Sequence, residues 1–244
     1  MAQRELQVLD LVGITSHIAA PYQVAPLVSL GTVDVALVIC EGPRTWHRAL
    51  ARRELAMVIE GVITISGPGG RVVANEGDAV ALPPGADITV FSGMRSIVVL
   101  FRELELPAEV NGYHDPPSAA LPAIERANFA VVVKSGPAFG WQPAGQLRGY
   151  EARATRVTGE SAPYTAPHGS LVVLVYRGEL DYAADRHAGT VVGSQLLVVP
   201  AGQRVVLSAP RGATTVLLTR AGAPLPRLAT TAGRSGHDAQ SDSG

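Results

Sequence analysis

The sequence contains very little of several residue types, and each shortage narrows the class of protein. Cys40 is the only cysteine, which excludes an internal disulfide. Lys134 is the only lysine and the formal net charge is -1, so nucleic-acid binding through phosphate neutralisation has no support. No apolar run reaches the roughly 18 residues of a membrane span. The N-terminus also lacks the charged-then-apolar order of a signal peptide. We therefore expect a cytoplasmic protein with no nucleic-acid or membrane partner.

Apolar residues and turn formers are abundant. Of 244 residues, 47% are hydrophobic and only 17% are charged, which is enough apolar material for a sizeable core. The 26 glycines and 18 prolines recur between short, Val-rich runs. Short strands punctuated by Gly and Pro every eight to twelve residues are typical of sandwiches and barrels. The composition therefore predicts an all-β fold.

The stretch from Gly42 to Gly85 shows this pattern most clearly. The run 54–60 is an apolar strand that ends in a turn at Gly61, and the alternating run 62–66 leads into the loop at 67–70. Gly77 then turns the chain into 79–82, where Pro83 and Gly85 end the strand. Two neighbouring segments follow less regular patterns: 5–12 fits a strand or a short helix, and 129–134 predicts an apolar strand.

These turn residues carry a resemblance to the cupin superfamily. Its first motif reads G-x5-H-x-H-x3,4-E-x6-G and its second G-x5-P-x-G-x2-H-x3-N; here we match Gly42, His47, Glu54 and Gly61 to the first, and Gly77, Pro83 and Gly85 to the second. The sequence that surrounds these residues is similar to that of small cupins of the mannose-6-phosphate isomerase-like type. In this alignment Ala49 replaces the second His and Ile88 the last His. The resemblance implies a jelly-roll barrel that has lost half of its metal ligands.

A second copy of the pattern follows at a constant offset of 117 residues. Gly42, Ala49, Gly61, Pro83 and Gly85 align without a gap with their counterparts, which are Gly159, Ala166, Gly178, Pro200 and Gly202. Equal spacing of turn residues in both halves is the signature of an internal repeat. We predict a bicupin, two tandem cupin-type jelly-roll β-barrels: an N-terminal lobe 1–102, a connector 103–126, a C-terminal lobe 127–222 and a disordered tail 223–244.

The metal-ligand positions decide what chemistry these barrels can support. Residues two apart on a strand share a face, so a His-x-His pair would point into the barrel and, with Glu and a last His, hold a divalent metal. The first lobe keeps only His47 and Glu54, while the second has Tyr164, Ala166, Leu171 and Val205 at the four positions. A catalytic metal site needs about three protein ligands. We expect no cofactor, with at most a divalent metal held weakly by His47 and Glu54.

Two interpretations of His47 and Glu54 are open at this stage. As a hydrogen-bonded catalytic pair, the imidazole and carboxylate could transfer protons without a metal. As a relic, the pair would remain in a pocket that only binds or is simply packed. The residues predicted to line that pocket, or its counterpart in the second lobe, are Trp46, Ala49, Ile88, Tyr164 and His168.

The other candidate site residues can be explained by structural roles or by exposure on the surface. The arginines at 44, 48, 52 and 53 could steer an anion into the barrel or form a solvated loop. We predict that Cys40 is a buried small hydrophobe, that His114 and His187 are surface residues, that His237 lies in the tail, and that His17 has no functional partner.

Three functions remain. The first is a metal-poor bicupin that binds a small molecule or serves as a structural or regulatory module. The second is an isomerase, epimerase or lyase that acts on a small polar or anionic substrate through His47 and Glu54. The third is a metal-dependent dioxygenase-like bicupin, which the missing ligands count against. The family resemblance also implies a homodimer.

Overall fold

The structure is a computed structural model that describes residues 5–104, 123–134, 136–166, 169–185 and 187–229. Eighteen strands and two short helices account for most of this part of the chain. The first group of elements is β1 (Gln7–Asp10), α1 (Leu11–Thr15), β2 (Val24–Ser29), β3 (Val33–Cys40), β4 (Trp46–Ala49), β5 (Glu54–Glu60), β6 (Val62–Gly67), β7 (Gly70–Asn75), β8 (Asp78–Leu82), β9 (Asp87–Phe91) and β10 (Ser96–Glu103).

The second group begins at Glu125, within the predicted connector 103–126. It comprises β11 (Glu125–Asn128), α2 (Phe129–Val132), β12 (Gln142–Leu147), β13 (Tyr150–Glu160), β14 (Tyr164–Thr165), β15 (Leu171–Ala184), β16 (His187–Val192), β17 (Gln195–Val199) and β18 (Arg204–Arg220). The prediction of an all-β fold is confirmed.

The first lobe is built from two sheets that enclose an apolar interior. One sheet has the order β11-β8-β5-β10-β3-β2 and the other β4-β9-β6-β7. The second lobe is an eight-stranded sheet with the path β1-β17-β15-β18-β13-β12, to which β14 and β16 attach. Strands β15 and β18 are long and carry register shifts. Each therefore contributes to more than one wall around the second interior.

Alternation along the central strands explains why they read as unbroken apolar runs. In β5, Leu55 and Met57 pack in a core shared by both lobes, while Ala56 and Val58 point into the first interior. Strand β15 divides in the same way between the shared core and the second interior. Because both faces are buried, neither strand shows the apolar-polar pattern of a half-exposed sheet.

The offset of 117 residues reappears in the strand pairing. Leu55 pairs with Ala81 in the first lobe, and Val172 with Val198 in the second. The turn after β5 passes through Gly61 at φ +83°, and the matching bend in β15 through Gly178 at φ +88°. An added Cβ would collide with Ser96 at Gly61 and with the Gly212 backbone at Gly178. Glycine is therefore required at both corners.

Each lobe contributes one strand to the sheet of the other. Strand β1, at the start of the chain, pairs with β17 of the second lobe. Strand β11, which begins within the predicted connector, pairs with β8 of the first lobe. Both exchanges cross the predicted boundaries, which place residues 1–102 in the first lobe and begin the second at 127. The exchange ties the two lobes together through backbone hydrogen bonds as well as through the shared core.

Three segments refine the predictions made from sequence. The run 5–12, which fitted either a strand or a helix, contains both β1 and the start of α1. The run 129–134, predicted to be a strand, begins with helix α2; Asn128 caps it by accepting a hydrogen bond from the Val131 backbone at 2.8 Å. Residues 223–229, predicted to start a disordered tail, lie on the second lobe, where the Trp141 indole donates to the Pro226 carbonyl at 2.7 Å.

Candidate functional site

Strand β4 presents the opposite face to the barrel from the one the motif alignment predicted. Trp46 and Arg48 are partly buried, whereas His47 and Ala49 are exposed. Arg48 lies directly across from Ile88 on β9, and Ile88 is 2% exposed within the first interior. Because side chains alternate along a strand, a displacement of one residue moves every side chain to the other face. Trp46 and Arg48 therefore occupy the inward positions.

His47 consequently lies on the outside of the barrel. Its Nε2 is 3.0 Å from the Thr45 hydroxyl and its Nδ1 is 3.1 Å from the Thr89 hydroxyl. Neither nitrogen faces Glu54. The structure does not form the predicted hydrogen-bonded pair, and Ala49, also on the outer face, does not line the predicted pocket.

Glu54 is engaged by arginines instead. Its two carboxylate oxygens accept hydrogen bonds from the Arg48 guanidinium at 2.5 and 2.6 Å. The Nε of Arg102 is 3.3 Å from the same carboxylate. The Arg48 and Glu54 side chains are only 13% and 7% exposed. This bidentate, charge-assisted arrangement is the strongest form of carboxylate recognition by a side chain. We call Arg48, Glu54 and Arg102 the mouth cluster.

Two aromatic rings pack beside Arg48 of the mouth cluster. The Arg48 guanidinium lies 4.3 Å from the centroid of the Trp46 ring, a cation-π contact. Trp46 in turn packs against Tyr22, with ring centroids 6.0 Å apart. Trp46, one of the predicted pocket residues, therefore faces the first barrel, where it holds the arginine rather than bounding an open pocket.

The interior behind the mouth cluster is nearly filled. A cavity of about 10 Å³ remains, walled by Cys40, Ile63, Val90 and other apolar side chains. A space of that size matches about one water molecule at most. Cys40 is buried as predicted, and burial raises the pKa of its thiol to about 12. A thiol with that pKa stays protonated near neutral pH, which agrees with a packing role.

The full spacing of the cupin motif predicts the inward-facing residues correctly, whereas the alignment with a one-residue deletion does not. Counted without a deletion from Gly42, the motif places its first two ligands at Arg48 and Leu50, its Glu at Glu54 and its last ligand at Ile88. The structure turns all four inward, with Leu50 and Ile88 both buried in the first interior. Arginine, leucine and isoleucine donate no electron pairs to a metal, and Glu54 is committed to Arg48. The residues present therefore do not fit the divalent metal that the resemblance to cupins implies.

The second interior is also packed at these positions. Tyr164, Ala166, Leu171 and Val205 are all buried in its core cluster. Tyr164 pairs with Val205, as Arg48 pairs with Ile88, so β14 follows β4 at an offset of 116 rather than 117. The predicted gapless alignment of Ala49 with Ala166 is therefore wrong by one residue. Burial raises the pKa of the Tyr164 phenol.

A different ion pair stands at the partly exposed end of the second interior. The Arg153 guanidinium donates to the Glu151 carboxylate at 2.8 Å, and their side chains are 30% and 11% exposed. Both residues lie on β13 and therefore have no counterpart in the mouth cluster. Sequence analysis missed them because no cupin motif covers this strand.

The remaining predicted candidates are scattered. His187 is on the exposed hairpin β15–β16 and His17 is exposed after α1. His168, predicted to line the second pocket, and His114 and His237 fall outside the described residues. Among the residues that the structure describes, no three His, Cys, Asp or Glu side chains are placed to hold a metal ion together. None of the helices described is long and apolar enough to cross a membrane.

A cleft between the lobes was not anticipated from the sequence. It has a volume of about 390 Å³ and lies where β8 and β11 of the first sheet approach β12 of the second. Alanines form much of its wall, and Arg53, Glu125 and Gln146 contribute polar side chains. Because its walls come from segments far apart in the chain, no local motif marks it.

Comparison with known proteins agrees with the architecture. No protein-family model matches the chain, and no curated protein matches it either. Among solved structures, a cupin 2 conserved barrel domain protein from Leptotrichia buccalis is 14% identical, with a TM-score of 0.64 over 90% of this chain and 99% of that one. Salicylate 1,2-dioxygenase from Pseudaminobacter salicylatoxidans is 12% identical, with a TM-score of 0.71 over 91% of this chain and 86% of that one.

A mutant of the same dioxygenase superposes with a TM-score of 0.73 at 11% identity, over 91% of this chain and 85% of that one. Similarity at this level of identity establishes the fold alone. The chain has the all-β cupin fold.

Proposed function

We propose that this chain is a bicupin whose barrels serve as a rigid scaffold and whose function is to bind a small molecule rather than to catalyse a metal-dependent reaction. The bidentate contact between Arg48 and Glu54 supports this most directly. It uses the one acidic ligand of the motif as an arginine partner and closes the place where a substrate would enter.

Separating Arg48 from Glu54 would be energetically costly. A buried carboxylate without a partner is costly, and so is a buried guanidinium. Arg48 and Glu54 are both largely removed from solvent. A metal or substrate that recruited Glu54 would have to leave Arg48 uncompensated beside Trp46. The ion pair therefore competes with any ligand for the carboxylate.

The two enzymatic alternatives have less support. Catalysis by His47 and Glu54 would need the two side chains to share a substrate, yet they lie on different faces of the barrel wall. A dioxygenase-type centre would need metal ligands at inward positions that hold Arg48, Leu50 and Ile88. The fold that the chain shares with salicylate 1,2-dioxygenase is compatible with both outcomes and decides neither. Homodimer formation and a cytoplasmic location stay predictions from the sequence.

Metal titration of designed variants tests the proposal. The triple substitution Arg48→His, Leu50→His and Ile88→His rebuilds the ligand set around Glu54 and should bind one equivalent of a divalent metal such as Ni²⁺, measured by isothermal titration calorimetry and elemental analysis. The matched control, Ala49→His with Ile88→His, places its first new imidazole beside His47 on the outer face and should not. Wild-type protein that binds one equivalent of metal tightly, with loss of binding in Glu54→Gln, would overturn the proposal.

A further inference from the structure

The cleft between the lobes exists because small side chains line it. Elsewhere in the shared core the two sheets meet through large groups such as Leu55, Met57 and Tyr150. Along β8 and β11 the corresponding face carries Ala79 and Ala127, which are paired neighbours across the two strands. Strand β12 adds Ala144 from the other side. Alanine cannot span the gap between two packed sheets, which are about 10 Å apart, and the interface stays open here.

The dimensions and position of the cleft suit a small ligand. Its volume of about 390 Å³ lies within the range of small-molecule sites, roughly 300 to 1,000 Å³. Such sites occur preferentially where two domains meet. The first interior, by contrast, offers only about 10 Å³. Of these two spaces only the cleft can admit a molecule larger than water.

Two residues of opposite charge line the cleft. Arg53, in the loop before β5, and Glu125, on β11, both line it. Within the described part of the chain neither side chain forms an ion pair or a side-chain hydrogen bond. Arg126 also lines the cleft, but it donates to the Val73 carbonyl at 2.7 Å and lies 3.7 Å from the Asp78 carboxylate. Its charge is therefore already offset.

We propose that this cleft binds a small zwitterion of the amino-acid type, with its carboxylate at Arg53, its ammonium at Glu125 and its apolar side chain on the alanine wall. This inference rests on the proposed binding function and gives that function a site and a ligand class. A simple anion would meet repulsion from Glu125, and a simple cation would meet repulsion from Arg53. Only a ligand that carries both charges and an apolar portion complements all three features.

Calorimetric titration of full-length protein with L-leucine, L-valine and L-methionine tests the site, together with two leucine analogues. Leucinamide lacks the carboxylate and N-acetylleucine lacks the ammonium. At least one of the three amino acids should bind saturably. Each analogue should bind about tenfold more weakly or worse, because hydrogen bonds to charged groups contribute about 1.5–3 kcal/mol.

Charge-neutral variants assign the two ends of the ligand. Arg53→Gln should weaken binding of the amino acid and remove the preference over leucinamide, while the preference over N-acetylleucine persists. Glu125→Gln should show the mirror result. Arg44→Gln, an exposed loop change outside the cleft, is the matched control and should leave every affinity unchanged.

Filling the cleft tests its location. Ala127→Leu should abolish binding, whereas Ala201→Leu, at an exposed turn of the second lobe, should not. If Ala127→Leu impairs folding, the two charge variants at the surface still decide the matter. No saturable binding of any of the three amino acids up to about 10 mM, or binding that neither charge variant alters, would overturn this inference. Either result would leave the metal titrations of the barrel, and the proposed scaffold role, unaffected.

Discussion

The two barrel interiors have glycine turns at equivalent positions, but they differ in the polar groups at their ends. In the first, acid and base come from different strands: Glu54 on β5 is held by Arg48 on β4 and Arg102 on β10. In the second, both come from β13, as Glu151 and Arg153. At the positions that match Arg48 and Glu54, the second interior carries Tyr164 and Leu171.

This difference shows which features of the two lobes are constrained. Turn glycines and the strand pairing at an offset of 117 are common to both halves, because the backbone path depends on them. The end of a barrel only needs its buried charges to be compensated, and several pairs of positions can do that. The polar groups at the end of a barrel can therefore change without loss of the fold.

The largest effect should come from breaking the better-buried pair. Arg48→Ala leaves Glu54 buried with only the more exposed Arg102 nearby, and should lower the free energy of unfolding by about 3–5 kcal/mol. Arg153→Ala should cost clearly less, since Arg153 is 30% exposed against 13% for Arg48. Urea denaturation of both variants measures the difference. Equal losses would mean that burial does not distinguish the two ion pairs.

Truncation at the junction between the lobes should have the next largest effect. Leu11 is fully buried in the shared core, next to the exchanged strand β1. Leu11→Ala should cost about 2–5 kcal/mol because it creates a cavity there. Its neighbour Val12 is 48% exposed, so Val12→Ala is a matched control that should change stability by less than about 0.5 kcal/mol. A single cooperative transition in both variants would indicate that the lobes unfold together.

Replacing both partners of the first ion pair should have a smaller effect than removing one. Arg48→Met combined with Glu54→Leu replaces the ion pair with apolar side chains, and leaves no buried charge unpaired within the pair. The double variant should lie within about 1–2 kcal/mol of wild type. Chemical denaturation of the two single variants and the double variant forms a thermodynamic cycle. A double variant as unstable as Arg48→Ala would show that the pair contributes net stability.

The smallest effect on stability should come from a contact of Glu76 that has no counterpart at the offset of 117 residues. Glu76 accepts hydrogen bonds from the Arg177 guanidinium at 2.8 Å and the Tyr176 hydroxyl at 3.0 Å, which joins the first lobe to the second. At the offset of 117 the position matching Glu76 is Gly193, so no second copy exists. The hydrogen bond from Arg177 lowers the pKa of Glu76. Burial, together with the hydrogen bond that Tyr176 donates to Glu76, raises the pKa of Tyr176 to about 12.

Because the pKa of Glu76 is lowered in the folded state, its contribution is present above the ordinary carboxyl pKa and is lost as pH falls through the lowered value. The Glu76 side chain is 41% exposed, so solvent limits the effect to less than about 1 kcal/mol. Thermal unfolding of wild type and Glu76→Gln from neutral to acidic pH should show a small stability difference that disappears at the acidic end. A difference that stays constant with pH would contradict an ionic contact.

The sequence predicted the fold more fully than the site. Gly61, Gly178 and the prolines that end strands are local signals, and the repeat made them easy to recognise. Strand β4 was assigned the wrong face because one residue was skipped between Gly42 and the ligand positions. Its four residues mix polar and apolar types, which gave no alternation to correct the error. Helix α2 was missed because Phe129–Val132 is apolar and β-branched, and short runs of that kind do not separate helix from strand.

The amino-acid sequence by itself determined the all-β architecture, the recurrence of its turns at an offset of 117 residues and the burial of Cys40, since turn geometry and apolar patterning act over a few residues. The tertiary structure alone decided that Arg48 rather than His47 meets Glu54, that β1 and β11 change lobes, and that alanines from three strands leave a cleft. These features depend on which distant strand a segment pairs with and in what register. A shift of one residue in that register reverses the face of every side chain.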